Sequence, residues 1–424
     1  MIFYTVLTTI ILIIAYPVGF ILSIFGRTYI RQRLTPPVYI CENGFPRIWI
    51  HAASVGEAGI AFAMAAEIKQ KKPNANIFVS TATETGLHRI KEMEKSNETS
   101  VIQDAFIAPF DHPLITGKFV KHINPSLFIL VETEIWPAII RSAYKAHVPV
   151  TIINGKISPK ALRRYVIARF IFKDIINMIS LICVQSRKHA RRFHTLGVPE
   201  ERVEVLGNVK FDSLPEETGY NSSEIRKKLG ISGDAQVLVA GSTRPGEEQI
   251  IAQAFVRIKS NYPGAVLICA PRHLNRIEEV EKEFKQAMLT YVKRSSGTLF
   301  DRNRYSVLLL DTMGELLEVF ACADVAFVGG SLRDFGGHNP MEPAALGIPV
   351  LFGPYMEQTG SKELLSGGAG ALVHDSEELA VTVERLFADG DLRNRMGKAG
   401  PEIISKFKGT LARTYSQIES RGLI

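Results

Sequence analysis

Cysteine is scarce in this chain of 424 residues. Cys41, Cys183, Cys269 and Cys322 are the full complement, and no two of them form a C-x-x-C pair. That spacing argues against a cysteine-held zinc site or a dithiol redox couple. Cys183 and Cys269 sit inside apolar runs and read as buried thiols in a reducing compartment. A strong excess of one charge is missing too. Lys and Arg number 50 against 43 Asp and Glu, a net +7, which is not the footprint of a dedicated nucleic-acid binder. It suits an anionic membrane surface or an anionic substrate. Low-complexity tracts and solenoid-length repeats are absent. The last absence is local: from Ile2 to Phe25 there is no charged residue. Such a run spans a bilayer core of ~30 Å at ~1.5 Å per residue. No basic residue precedes it, so it lacks the start of a cleaved signal peptide. Arg27, Arg31 and Arg33 follow at once, which keeps the rest of the chain on the cytoplasmic side. Residues 1–26 are therefore expected to be a membrane anchor helix, with Pro17 tolerated as a kink.

What is present is a regular alternation of short apolar runs and helical patterns. "RIWIHA", "NIFVSTAT", "LFILVET", "VPVTIING", "LICVQS" and "VEVLGN" read as strands covered on both faces. Helical stretches such as Glu57 to Lys72 and Arg187 to Leu196 lie between them and make βαβ units with a parallel sheet. Pro215 to Gly233 is polar and broken, a linker with one short helix. A second series follows: "AQVLVAGST", "AVLICAP", "SVLLLDT", "VAFVGGS", "PVLFGP" and "GALVHD". The fold class is thus α/β, two Rossmann-like doubly wound domains. The expected divisions are 34–212, a linker 213–233, a second domain 234–405, and a C-terminal helix 406–424 that packs back on the first domain. Length alone favours two domains, since single cores stop growing at around 250–300 residues. Two such halves imply a cleft, and ligands of open α/β sheets sit outside the carboxyl ends of the strands.

The residues after each strand carry the chemistry. "AGSTRPGEE" places Gly241, Ser242 and Thr243 at a turn, with Pro245 just inside a helix and Glu247 and Glu248 in its first turn. Small residues there admit an anion to backbone N–H groups, or simply make a turn before an ordinary helix start. "CAPRH" puts Arg272 and His273 at a strand end, where an arginine grips a phosphate or a carboxylate with two prongs, or makes a surface ion pair. In "LDTMGEL", Asp311 or Thr312 caps a helix and Gly314 admits a ligand. "GGSLRDFGGHNPMEPAALGIPV" is the most unusual stretch. Asn339 as N-cap, Pro340 at N1 and Glu342 at N3 form a capping arrangement. That alone does not call for Gly329, Gly330, Gly336 and Gly337, which permit close backbone approach to a phosphate at the helix start. Glu342 is then placed to accept ribose hydroxyls.

In the first half, Ser54-Val-Gly-Glu57 has capping-box spacing, so Glu57 is either a cap or a general base for a hydroxyl nucleophile. "VETEIWP" sets Glu132 and Glu134 two apart, a spacing that turns both the same way in an extended segment; the plainer alternative is a pair of strand-end acids. "FDHP" at 110–113 reads as a cap and turn. Ile157 to Ile175 mixes Lys160, Arg163, Arg164, Arg169 and Lys173 with Tyr165, Phe170 and Phe172. It is either an amphipathic helix on the sheet or a basic, aromatic face on anionic lipid.

Taken together, "HAASVGE", "ETEIWP", "NGKIS", "QSRKHARRF", "GNVKFD", "GSTRPGEE", "PRH", "DTMGEL" and "FVGGSLRDFGGHNPMEPAA" resemble the 3-deoxy-D-manno-octulosonic acid (Kdo) transferases of lipid A assembly. The resemblance implies an inverting GT-B glycosyltransferase that moves Kdo from CMP-Kdo to a lipid A precursor, lipid IVA, at the inner membrane. It implies no cofactor and no metal in the site, a single-pass anchor, and catalytic domains on the cytoplasmic side. It makes Glu57 the catalytic base. Ser54, Gly56, Glu132, Glu134 and Lys210 become acceptor or transition-state candidates. Gly241, Ser242, Thr243, Arg272, Met313, Gly314, Glu315, Gly330, Asn339 and Glu342 become CMP-binding candidates. Arg244 stands where many relatives have histidine. A GT-B transferase of another nucleotide sugar, a nucleotide-sugar epimerase and a tethered, non-catalytic nucleotide-binding module are the competing readings.

Overall fold

A computed structural model of the chain describes residues 4–6, 8–10, 13, 29–37, 45–97, 99–214 and 219–424. The chain forms two compact units, Met1–Asp212 with Gly409–Ile424, and Ser213–Lys408. The anchor helix expected over 1–26 falls largely outside the described residues. Residues 4–6, 8–10 and 13 are helical, and among the described residues no helix is long and apolar enough to cross a membrane. Cys41 and residues 215–218 of the expected linker also lie outside them.

The first unit holds a parallel sheet of β1 (Arg47–Ala52), β2 (Asn76–Thr81), β3 (Asp104–Ile107), β4 (Leu127–Val131), β5 (Val150–Gly155), β6 (Leu181–Val184) and β7 (Val203–Val205), in the order β3-β2-β1-β4-β5-β6-β7. Its strands are apolar on both faces because helices cover both. Ile48 and Ile50 of β1 pack with Ile129 of β4 on one side; Trp49 packs with Phe128 and Leu130 on the other. The helix Thr410–Ser420 returns to complete the first of these cores through Tyr415 and Ile418. Burying a side chain such as Ile418 contributes roughly 1.5–3 kcal/mol. Its first turn is capped across the chain: Asp212 accepts the N–H groups of Thr410 at 3.1 Å and Leu411 at 2.6 Å.

The second unit repeats the plan with β8 (Val237–Thr243), β9 (Val266–Pro271), β10 (Tyr291–Lys293), β11 (Val307–Leu309), β12 (Val325–Val328), β13 (Val350–Phe352) and β14 (Gly370–Leu372). Its order is β10-β11-β9-β8-β12-β13-β14, again parallel. In each sheet the strand order reverses beside the first strand: between β1 and β4, and between β8 and β12. Those two reversal points are where an open α/β sheet receives ligands.

Three local expectations need correction. The basic segment 157–175 is two helices, Pro159–Ile167 and Arg169–Ile176, broken at Ala168. Pro245 lies outside its helix, which starts at Glu247 after Gly246 in a left-handed conformation. The helix after Asn339 runs only from Met341 to Ala345 with Pro340 in the cap position.

Candidate functional site

At the β1–β4 reversal, Ser54 caps the helix Val55–Lys71 and Glu57 closes the cap. The Ser54 hydroxyl accepts from the Glu57 N–H at 3.3 Å and donates to Glu57 Oε1 at 2.9 Å; Oε2 accepts the Ala53 N–H at 2.8 Å. The capping role is real, and the side chain is 8% exposed. Burial pushes its carboxyl above the ordinary carboxylate range. Glu132 and Glu134 push the same way, against the pull of the Ala53 and Ser54 bonds. A carboxylate so raised is a stronger base. Ser54, Val55 and Gly56 beside it are exposed.

Glu132 and Glu134 do not share a face by strand alternation, because β4 ends at Val131 and Glu132 turns out with a φ of 61°. A side-chain-bearing residue in that region is strained. Glu132 is buried, with Lys156 Nζ 2.7 Å from Oε2 and Lys210 Nζ 3.8 Å from Oε1. Glu134 accepts the Trp136 Nε1–H at 2.6 Å, and burial raises its carboxyl too. Trp136 meets the His51 ring edge-on at 5.1 Å. His51, 1% exposed and within 3.0 Å of the Ser80 hydroxyl, is driven down to about 4 by burial. Lys156 and His51 were not singled out in the sequence; each sits at or just beyond a strand's carboxyl end, which was the available signal.

At the β8–β12 reversal the dominant group is Glu247, read from sequence as a plain first-turn acid. It is 0% exposed. Oε2 accepts the N–H groups of Arg244 at 2.8 Å and Gly330 at 2.6 Å; Oε1 accepts those of Ser331 and Leu332, both at 2.9 Å. Burial raises its carboxyl against the pull of all four bonds. The Gly330 N–H expected to meet a phosphate is therefore committed to Glu247. Thr243 is also withdrawn: it is fully buried, and its hydroxyl donates to Glu248 at 2.8 Å, which Arg276 also holds. Two glycines serve packing. A Cβ on Gly241 would lie 2.4 Å from the Phe320 ring, and one on Gly329 would lie 2.6 Å from the Ser242 carbonyl oxygen. Ser242 itself has a φ of 58°.

Asn339 and Glu342 pair through side chains, Nδ2 to Oε1 at 3.1 Å, while Asn339 Oδ1 accepts the Met341 N–H at 3.1 Å. Burial raises the Glu342 carboxyl; Asn339 and then Arg272 oppose it. Arg272 is exposed, so its guanidinium is open to solvent beside this pair. Met313 is 73% exposed, and Gly314 has open space where a Cβ would be. Glu315 pairs with Arg294 at 3.2 Å and takes the Thr312 hydroxyl; despite burial, these partners hold its carboxyl below the usual range. Neither Asp311 nor Thr312 caps the helix Leu316–Phe320, whose cap position is Glu315; Asp311 instead accepts the Ser295 N–H at 2.8 Å. No group of three or more His, Cys, Asp or Glu fit to hold a metal ion occurs among the described residues. A groove of about 660 Å³ lined by Val6, Pro113, Gly117, Ala138 and Arg141 shares no residue with either cluster.

Comparison with known proteins separates fold from reaction. Residues 27–213 match the family model described as 3-deoxy-D-manno-octulosonic-acid transferase (kdotransferase). A 3-deoxy-D-manno-octulosonic acid transferase of Haemophilus influenzae is 33% identical over 369 residues, 86% of this chain and 85% of its own. Among solved structures, a glycosyltransferase from Rickettsia africae superposes with a TM-score of 0.60 at 13% identity, over 89% of this chain and 98% of that one. The UDP-GlcNAc 2-epimerase from Neisseria meningitidis bound to UDP-GlcNAc gives 0.58 at 16% identity, over 87% and 100%. A transferase and an epimerase fit almost equally well, so the shared GT-B architecture does not choose the chemistry.

Proposed function

The chain belongs to the 3-deoxy-D-manno-octulosonic acid transferase family and transfers Kdo, and we propose that it takes the sugar from CMP-Kdo and places it on a hydroxyl of lipid IVA, a lipid A precursor, at the cytoplasmic face of the inner membrane. The observation that carries this reading is Glu57: a buried, raised carboxylate at a sheet reversal, coupled to two further acids. In the proposed step the acceptor hydroxyl oxygen attacks the anomeric carbon from the face opposite the phosphate, with inversion. Its proton passes to Glu57. The bond from the anomeric carbon to the phosphate oxygen breaks, and CMP leaves with the electron pair. Ser54 and Ala53 orient the Glu57 carboxylate; Glu132, Glu134 and Lys210 flank the acceptor. Arg272, Asn339 and Glu342 hold the nucleotide, with Met313 and Gly314 on the exposed turn beside it. Arg272 meets the charge that grows on the departing phosphate.

The uncharged run from Ile2 to Phe25 and the arginines behind it support a single-pass anchor. Anchoring confines the search for an amphiphilic acceptor to the membrane surface. The test is direct. The full chain in mixed micelles is incubated with a CMP-Kdo-generating system and tetraacylated lipid A precursor, and the lipid is weighed by mass spectrometry. A mass gain of one or more Kdo units is expected; a lipid of unchanged mass would overturn the proposal.

A further inference from the structure

One side chain at the β8–β12 reversal has no task in the step above. Arg244 directly follows β8. Its guanidinium Nε donates to His338 Nε2 at 3.2 Å, and Nη1 lies 2.6 Å from His273 Nε2. Its plane sits over the Phe335 ring, 5.4 Å from the centroid. A guanidinium only donates, so the imidazole nitrogen is the acceptor in each contact. His338 is pressed down to about 4 by burial, then by Arg244, Arg272 and His273.

Four basic side chains thus share one corner. Arg244 spends its side-chain bonds on the two imidazoles, while Arg272 acts on the Glu342 carboxylate at longer range. The nearest acid to the Arg244 backbone, Glu247, spends its oxygens on four backbone N–H groups. Arginines are rarely left in such company, because two guanidiniums repel unless an anion joins them. Two histidine acceptors and an aromatic ring fix the plane of Arg244, so little side-chain freedom remains to be lost on binding.

The chemistry of the missing anion follows from the donor, and this step rests on the reading of the chain as a CMP-Kdo user. Such a donor carries two anions on one carbon: the phosphate ester and the sugar's own carboxylate. Arg272, beside Asn339 and Glu342, serves the nucleotide phosphate. We infer that Arg244, held by His273 and His338, binds the carboxylate of the Kdo unit and is the residue by which this chain distinguishes a sugar acid from a neutral hexose. A planar carboxylate matches the fork of a guanidinium better than it matches an imidazole.

The test compares two ligands that differ by the sugar. With wild type, R244A, R244K and R272A, the KM for CMP-Kdo and the inhibition constant for CMP are measured in the lipid assay. R244A is expected to raise the KM roughly tenfold to a hundredfold, the effect of losing a bidentate charged contact. Its inhibition constant for CMP stays within about twofold, since CMP has no such carboxylate. R244K recovers part of the loss, and R272A weakens both ligands. A thermal melt close to wild type confirms that R244A is folded. Equal weakening of CMP and CMP-Kdo by R244A would make Arg244 a phosphate ligand and overturn the inference, as would an unchanged KM. If wild type transfers no Kdo at all, the reading beneath the inference fails with it.

Discussion

The first helix of each sheet opens at a Gly-Glu pair, Gly56-Glu57 and Gly246-Glu247, and the two glutamates are put to different use. Both are buried and both are raised by burial. Glu57 accepts two bonds, from Ala53 and Ser54 in its own turn, and stands in the field of Glu132 and Glu134. Glu247 accepts four backbone N–H groups, three of them from the loop 330–332 on the neighbouring strand. A carboxylate with two short-range bonds and acidic neighbours is ready to take a proton. One with four N–H donors is satisfied and holds a loop in place. The same local signal therefore marks a chemical group in one unit and a fastener in the other, and what divides them is the sequence-distant surroundings.

The sharpest way to break that comparison is to remove each carboxylate in turn. Glu57→Ala is expected to lower transfer by roughly a hundredfold to ten-thousandfold, the usual worth of a positioned general base. Its stability should fall by only about 1–2 kcal/mol, the cost of a lost cap. Single-turnover transfer and urea melts read the two effects separately; parental turnover would reduce Glu57 to a cap. Glu247→Ala should do the reverse. It strands buried N–H groups at about 1–3 kcal/mol each where water cannot reach them, so a loss of about 3 kcal/mol or more is expected. Nucleotide affinity falls with it as the loop loosens. A Glu247→Ala protein with a wild-type melt would remove the fastener from the comparison.

How far the sequence carries the reader follows the same line. The strands were legible wherever helices cover both faces and the run is apolar throughout, as in Leu127–Val131. Asp104–Ile107 and Tyr291–Lys293 were not, because each is short and opens or closes on polar residues such as Asp104 and Lys293. The cap at Ser54 and Glu57 was legible because its partners lie within four residues. Glu247 was not, because its loop partners are 83, 84 and 85 residues away. Gly241 and Gly329 were read as places where the backbone comes close to an anion. What approaches is Phe320 and the Ser242 backbone, and no local pattern names those neighbours.

A smaller effect sharpens the electrostatic half of the contrast. A general base works only when ionised, so the acid limb of kcat/KM follows the Glu57 carboxyl. Because that carboxyl is raised, the limb should lie above the ordinary carboxylate range. Glu132 contributes to the raise, so Glu132→Gln removes a nearby negative charge and moves the limb to lower pH. A shift upward, or none, would mean that the titrating group does not feel the charge on Glu132.

The smallest change expected is also the most diagnostic, because its sign is opposite. Ser54 donates a hydrogen bond to Glu57 Oε1, and this bond favours the ionised form. Ser54→Ala deletes it, so the Glu57 carboxyl rises further and the acid limb moves to higher pH. The same change removes an N-cap, at about 1 kcal/mol of stability. Glu132→Gln and Ser54→Ala therefore pull one titration in two directions. Only a group that both influence can respond in that way, and Glu57 is the carboxyl that meets the Ser54 hydroxyl directly and feels the charge of Glu132. Limbs that moved together, or that ignored both substitutions, would assign the titrating base to another residue.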